Sequence, residues 1–289
     1  MLSGIYVCLR FIHFLSLMVT FGCVLYGAWW APSALRRLLM RRFYPLMRHL
    51  LLINALSALL MLMAQGGLMG NGWQDVWQPA IWQAVAGTQF GGVWVWQILL
   101  AFVALVVVWL KPRRPARLLL ILLAAQLLLL AAVGHAAMNE GLRGVAQRTN
   151  HAAHLFFVAS WFGGLLPFLY CLRLAHGRWR QLAISTMMRF SRYGHLAVAG
   201  TIVSGMVNAL FIQGGLISAS PWGRMLLFKC VLVAAMVAIA LGNRYVLVPR
   251  MSVNGTRAQR LIVRTTQIEI ALGALALFAV SLFATWEPY

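Results

Sequence analysis

The chain has 289 residues, 62% of them hydrophobic and only 10% charged, with a mean hydropathy of +0.83, where a soluble domain carries roughly 25% charged residues. That leaves too little polar surface to cover a water-soluble globule, so the composition excludes a soluble enzyme and points to an integral membrane protein. Lys and Arg number 24 against 4 Asp and Glu, a formal charge of +20; the clustering of these cations between alternate apolar runs makes them a topology signal and argues against a nucleic-acid partner.

A bilayer core of about 30 Å takes about 20 apolar residues in a helix. Eight runs meet that length, and the expected fold is an all-α polytopic bundle with spans at about 5–30, 46–69, 90–110, 117–136, 151–172, 193–213, 222–243 and 265–286. Pro32 and Pro112 follow the first and third runs, where a helix can end without losing a needed donor. Between the first and second runs lie Arg36, Arg37, Arg41, Arg42 and Arg48. The next connection, opened by "QGGLMGNGW", carries Trp73, Trp77, Trp82, Trp94 and Trp96 and suits the headgroup layer, with one short interfacial helix expected over 70–89.

Lys111, Arg113, Arg114 and Arg117 separate the third run from the fourth. Arg173, Arg178, Arg180, Arg189 and Arg192 separate the fifth from the sixth, and Arg244, Arg250, Arg257, Arg260 and Arg264 the seventh from the eighth. Trp222 and Trp286 mark other outer ends. The positive-inside rule sends the four basic connections to the cytoplasm and both termini to the periplasm of a bacterial inner membrane. The first run is too long for a signal peptide and reads as a retained span. No connection is long enough for a soluble domain.

The seven histidines fall unevenly on this topology. His13 lies in the outer half of the first span, His135 closes the fourth in "GHAAMNEG", and His151 and His154 open the fifth in "NHAAHLFFVASWFGGLLP". Residues three apart share a helix face, so the last two can aim at one centre. Imidazole suits copper in either oxidation state and thioether the cuprous ion, which makes His13, His135, His151, His154 and Met138 the candidate metal ligands, with Met69 at the same level. An interfacial histidine is often only a polar cap; four from three spans in one leaflet carry more weight, because an ionisable group inside a membrane is a functional candidate by default. His49 and His195 open spans at the cytoplasmic end, and His176 sits in a basic loop.

Arg10 and Lys229 fall within apolar runs on the outer half, where they either snorkel outward or pair with an anion such as a haem propionate or Glu287. Glu269, near the inner end of the last span, is expected to pair with a neighbouring arginine, and Asn208 is a buried amide that needs a partner. Cys8, Cys23, Cys171 and Cys230 all lie in apolar runs without metal or disulfide spacing. No Walker A loop, GxGxxG, HExxH or Ser-His-Asp set is present, which argues against an ATP-driven pump or a hydrolase.

"RFIHF", "QGGLMGNGW", "GHAAMNEG", "NHAAHLFFVASWFGGLLP", "RFSRYGHLAVAGTIVSGMVNAL" and "KCVLVAAMVAIALGNRYVLVPR" occur in that order, and the chain carrying them resembles the copper-resistance protein D family over its whole length. Residues 189–289 are similar to the family's named domain. The resemblance implies an inner-membrane protein that works on copper beside a small, separately encoded periplasmic copper-binding protein of the CopC type. A more distant similarity is to b-type cytochromes, which hold a haem between imidazoles on different helices.

These residues support three readings. In the first, copper binds at the outer histidines and passes inward past His13, the direction being open. In the second, the protein transfers electrons through haem b held by two of His13, His135 and His154, with Arg10 or Lys229 on the propionates and a second haem between His49 and His195. In the third, it is a docking platform for the periplasmic copper carrier. Lipids surround it in each, and assembly into homo-oligomers is left open.

Overall fold

The computed structural model describes residues 1–110, 115–250 and 255–287; Pro112 and the basic residues Lys111, Arg113 and Arg114 lie outside them. In lipid every backbone N–H and C=O must be satisfied within the segment, and the apolar runs are accordingly helical. Helix α1 spans Leu2–Leu25 and runs on through a π-helical turn at Tyr26–Trp30. Next come α2 (Ser33–Met69), two short helices α3 (Trp73–Val76) and α4 (Pro79–Ala86), α5 (Gln89–Leu110) and α6 (Pro115–Leu130). A 3-10 turn at Gly134–Ala137 leads to α7 (Gly141–Leu174) and α8 (Arg180–Gln213). Helix α9 (Pro221–Gly242) continues through a π-helical turn at Asn243–Leu247 into the short α10 (Val248–Arg250), and α11 (Gly255–Phe283) closes the order.

Among the described residues, seven helical segments are long and apolar enough to cross a membrane, and α6, at 16 residues, is a shorter apolar helix. At 1.5 Å per residue α6 reaches only about 24 Å. The chain is thus an all-α polytopic membrane protein. Several helices run well past the hydropathy-defined spans: α2 has 37 residues and begins at Ser33, ahead of the arginine cluster, and α8 begins at Arg180. Arginine is a good helix former, so charge ends the membrane segment without ending the helix.

The helices pack as two four-membered groups. Helix α2 neighbours α1 and α5, and α5 neighbours α6; in the second group α8 lies on α7 and α9 on α11. Helices α1 and α7 join the groups at their closest crossing, where a Cβ added to Gly22 would overlap the Gly163 backbone. Only hydrogen fits there, as in small-residue contacts between membrane helices generally. Leu17, Met47, Leu51 and Leu127 fill the first group's interior, while Ile121, Val231 and Val106 face outward to lipid.

The connection after α2 forms two short helices instead of the one expected. Asp75 ties it down: one carboxylate oxygen accepts from Asn71 N at 2.6 Å and the other from Gln78 Nε2 at 3.1 Å. Trp73, Trp77 and Trp96 are exposed, as interfacial tryptophans should be, but Trp94 is buried and donates Nε1–H to Ala58 O at 2.8 Å. Trp222 is buried as well. The expected pairing of Glu269 with an arginine does not occur among the described residues. Its carboxylate instead accepts from Trp161 Nε1 at 2.9 Å.

Candidate functional site

A cavity of about 730 Å³ opens between the two helix groups, and His135, His151 and His154 all line it. Arg10, Lys229 and Trp222 share the wall. Its described lining contains no carboxylate, so its fixed charges are positive.

His135 reaches the cavity through a break in the chain, because α6 stops at Leu130, earlier than the span expected to 136. Gly134 adopts φ +68°, a left-handed conformation that glycine takes without steric cost, and this turns the following residue inward. The turn is then locked from α7: Gln147 donates Nε2–H to His135 O at 2.7 Å and accepts from Asn139 Nδ2 at 2.6 Å. Burial, followed by the nearby Arg10 charge, holds the His135 imidazole below its usual range, against the opposing effect of its hydrogen bond to Trp286.

Hydrogen bonds fix which nitrogen of each ring bears a lone pair. Ser204 Oγ gives its one proton to the Gly200 carbonyl, so toward His154 Nδ1, 2.9 Å away, it can only accept. His154 therefore carries its proton on Nδ1, and Nε2 holds the lone pair. His151 is the reverse. Asn150 Nδ2 donates to Ser204 O and to Asn208 Oδ1, both at 2.9 Å, which leaves the Asn208 amide nitrogen donating to His151 Nδ1 at 3.2 Å. His151 thus presents Nε2–H. His135 donates Nε2–H to Trp286 O at 3.1 Å, leaving its lone pair on Nδ1. The two rings of α7 stack with centroids 6.3 Å apart and planes 20° from parallel. Helix α8 passes beside this seat, and a Cβ on Gly205 would make ordinary contact with His154 Cε1 at 3.4 Å.

His13 does not join this group. It is fully buried but absent from the cavity wall, and both of its nitrogens are engaged elsewhere: Nδ1 with Asn54 O at 3.2 Å and Ser57 Oγ at 3.1 Å, Nε2 with Gln97 Nε2 at 3.0 Å. Its neighbours Arg10 and Phe14 face the cavity instead. Met138 and Met69 are exposed and lie outside the lining. Arg10 and Lys229 do not simply snorkel away, and Arg10 Nε is buried without a hydrogen-bond partner. Glu287 is exposed.

At the opposite end, His195 is exposed and lines a second cavity, bonded through Nδ1 to Ser191 O at 2.6 Å and through Nε2 to Tyr245 Oη at 3.2 Å. His49 is exposed, bonds Pro45 O at 2.7 Å and lies outside that cavity, so these two do not face each other across a shared space. His176 pairs with Gln259. Among the described residues no three His, Cys, Asp or Glu side chains are already gathered as a metal cage. The outer cavity offers two imidazole lone pairs from two elements, one N–H, and two cations. Sequence reasoning missed Gln147, Asn150 and Ser204, whose roles arise only from contacts between helices.

Residues 1–145 match the family described as Copper resistance protein D-like, N-terminal domain, and residues 184–283 match Copper resistance protein D. The chain is 53% identical to Inner membrane protein YebZ of Escherichia coli, over 100% of both chains. It is 31% identical to Copper resistance protein D of Pseudomonas syringae pv. tomato, over 98% of this chain and 96% of that one. With Copper transport protein CutJ of Bacillus subtilis the identity is 28%, over 96% of this chain and 51% of the relative. No solved structure matches significantly.

Proposed function

Since the chain belongs to the copper-resistance protein D family and is a multi-pass protein of the inner membrane, we propose that it handles copper as cargo, binding it in the outer cavity. His154 through Nε2 and His135 through Nδ1 are the ligands, and His151 sits beside them as a hydrogen-bond donor that can become a third ligand by moving its proton. The observation that carries this reading is the convergence of imidazoles from α7 and the Gly134 turn on one cavity with lone pairs left available. Ser204 at His154 and the Trp286 carbonyl at His135 act as the outer partners that fix ring orientation at metal sites, while Gln147 holds the His135 backbone. Neutral imidazoles hold a metal without burying any negative charge, which suits its exchange with a carrier. A small periplasmic copper-binding protein at the outer face is the fitting source or recipient.

The test is copper stoichiometry of the purified protein in detergent. The double variant His135→Ala, His154→Ala should lose bound cuprous ion, and unchanged stoichiometry would reject the site.

Arg10 and Lys229 on the same wall support a second reading, in which the cavity holds a b haem. A volume of about 730 Å³ is of the size that takes a cofactor. His154 would supply a nitrogen ligand, and the two cations would meet the propionates. The haem would supply one-electron chemistry, while this chain's residues orient it and balance its charge. An optical spectrum of the same preparation separates the two readings, because colourless protein from haem-replete cells removes the second.

A further inference from the structure

The second cavity, of about 810 Å³, lies toward the arginine-rich end and is walled by α7, α8, α11 and the π-helical turn after α9. Among the described residues, Trp161 is the one side chain that lines both cavities. Its indole is buried, and so is the Glu269 carboxylate that it meets at 2.9 Å. Trp161 Nε1 is also the only hydrogen-bond partner of Glu269 among the described residues. Helix α11 is held tightly to α7 at this level, since a Cβ on Gly273, one turn beyond Glu269, would come within 2.5 Å of the Phe162 ring.

From the inner mouth a series of polar groups leads to the carboxylate. Arg244 bonds Ser191 at the mouth. Asn243 comes next, linked to Thr265 and, at 3.5 Å, to Thr266 Oγ1, and Thr266 lies three residues before Glu269 on α11. Titratable and charged groups facing this space are His195 and Arg180 of α8, His176 of the turn before it, and Arg244. Helix α7 contributes only Trp161 at the carboxylate itself.

We propose that Trp161 and Glu269 form a proton-binding septum between the two cavities, with Glu269 exchanging a proton with the inner face and the Trp161–Glu269 contact closing the way between the cavities. A carboxylate buried with one neutral donor is expensive to keep charged, and water reaching it from the inner cavity relieves that cost. The proton comes from water at the inner mouth and returns there when the carboxyl turns back. Rotation of the indole away from Glu269 breaks the one bond and removes the shared wall. A septum of this kind serves a carrier, and it rests on the copper reading only for the identity of the cargo that passes.

The experiment uses the full-length protein in liposomes, with the proton as probe. Under an imposed pH gradient, Trp161→Ala vesicles should lose the gradient several-fold faster than wild type, and adding Glu269→Gln should restore slow loss. Infrared difference spectra should show a carboxylic-acid carbonyl band that titrates with the pH of the inner-face compartment, vanishes in Glu269→Gln and shifts in Trp161→Phe, a variant that keeps the aromatic bulk. The proposal is overturned if Trp161→Ala leaks no faster than wild type, if the double variant leaks equally, or if no band is lost in Glu269→Gln. Should Trp161→Ala fail to fold, the infrared pair decides alone. Glu269→Gln leaves copper stoichiometry at the outer cavity unchanged, so absence of copper from wild type removes the cargo and touches neither proton readout.

Discussion

Ser204 gives the outer cavity its chemical polarity, because a hydroxyl that has already spent its proton on Gly200 dictates where His154 keeps its own. Ser204→Ala removes that acceptor without changing the bulk of the site. The ring is then free to turn or to shift its proton to Nε2, the nitrogen needed for a metal. Loss of such an outer partner typically lowers metal affinity about 10–100-fold, and competition of the purified variant against a cuprous chelator measures it. Unchanged affinity would show that Ser204 does not set the state of the ligand. The histidine pair of α7 was legible in the sequence by spacing alone. The placement of His13 was not, because depth along a helix can be counted while facing depends on the neighbours. Phe14 is one residue further, about 100° around the helix, and that rotation separates a residue on the cavity wall from one turned to α2 and α5.

Glycine decides how the elements meet. At Gly22 and Gly163 the backbones of α1 and α7 touch with no room for a methyl group, and α7 also carries His151 and His154. Gly163→Ala should cost about 1–3 kcal/mol, the usual penalty of overpacking, and should push the histidine-bearing helix off α1. Thermal unfolding in detergent reads the first effect and copper stoichiometry the second; a variant as stable as wild type would mean that the helices do not cross this closely. The hydropathy pattern located the membrane segments well but not the helix ends. Arg36, Arg37, Arg41 and Arg42 lie inside α2, and Arg189 and Arg192 inside α8, because a helix that leaves the lipid continues as long as its residues favour it. Conversely, the apolar run after α5 promised a full span, and its helix ends at Leu130 with the left-handed Gly134 soon after.

For the whole molecule, the distribution of arginine is the strongest determinant of orientation. The clusters in the first part of α2, at the start of α8 and in the first part of α11 gather on connections that alternate with sparsely charged ones, an arrangement that the positive-inside rule assigns to the cytoplasm. Reporter fusions check this. Alkaline phosphatase joined after Gly141 should be active if the short α6 crosses the bilayer, and one joined after Gly177 should be inactive. The reverse pattern, inactive after Gly141 and active after Gly177, would remove the eighth crossing and invert the orientation of α8, α9 and α11. The class of fold and the charge asymmetry were readable from the chain because both are sums over many residues. The two cavities were not readable, since each is a space left between four or more helices. The outer one has no carboxylate in its described lining, and that feature bears on competition among ions. Calcium and magnesium bind through anionic oxygen ligands, and against Arg10 and Lys229 a dication meets twice the repulsion of a monocation. Under the copper reading the vestibule would therefore discriminate by rejection before any ligand is engaged, passing over the abundant hard ions of its surroundings and leaving its imidazoles to a softer, singly charged visitor.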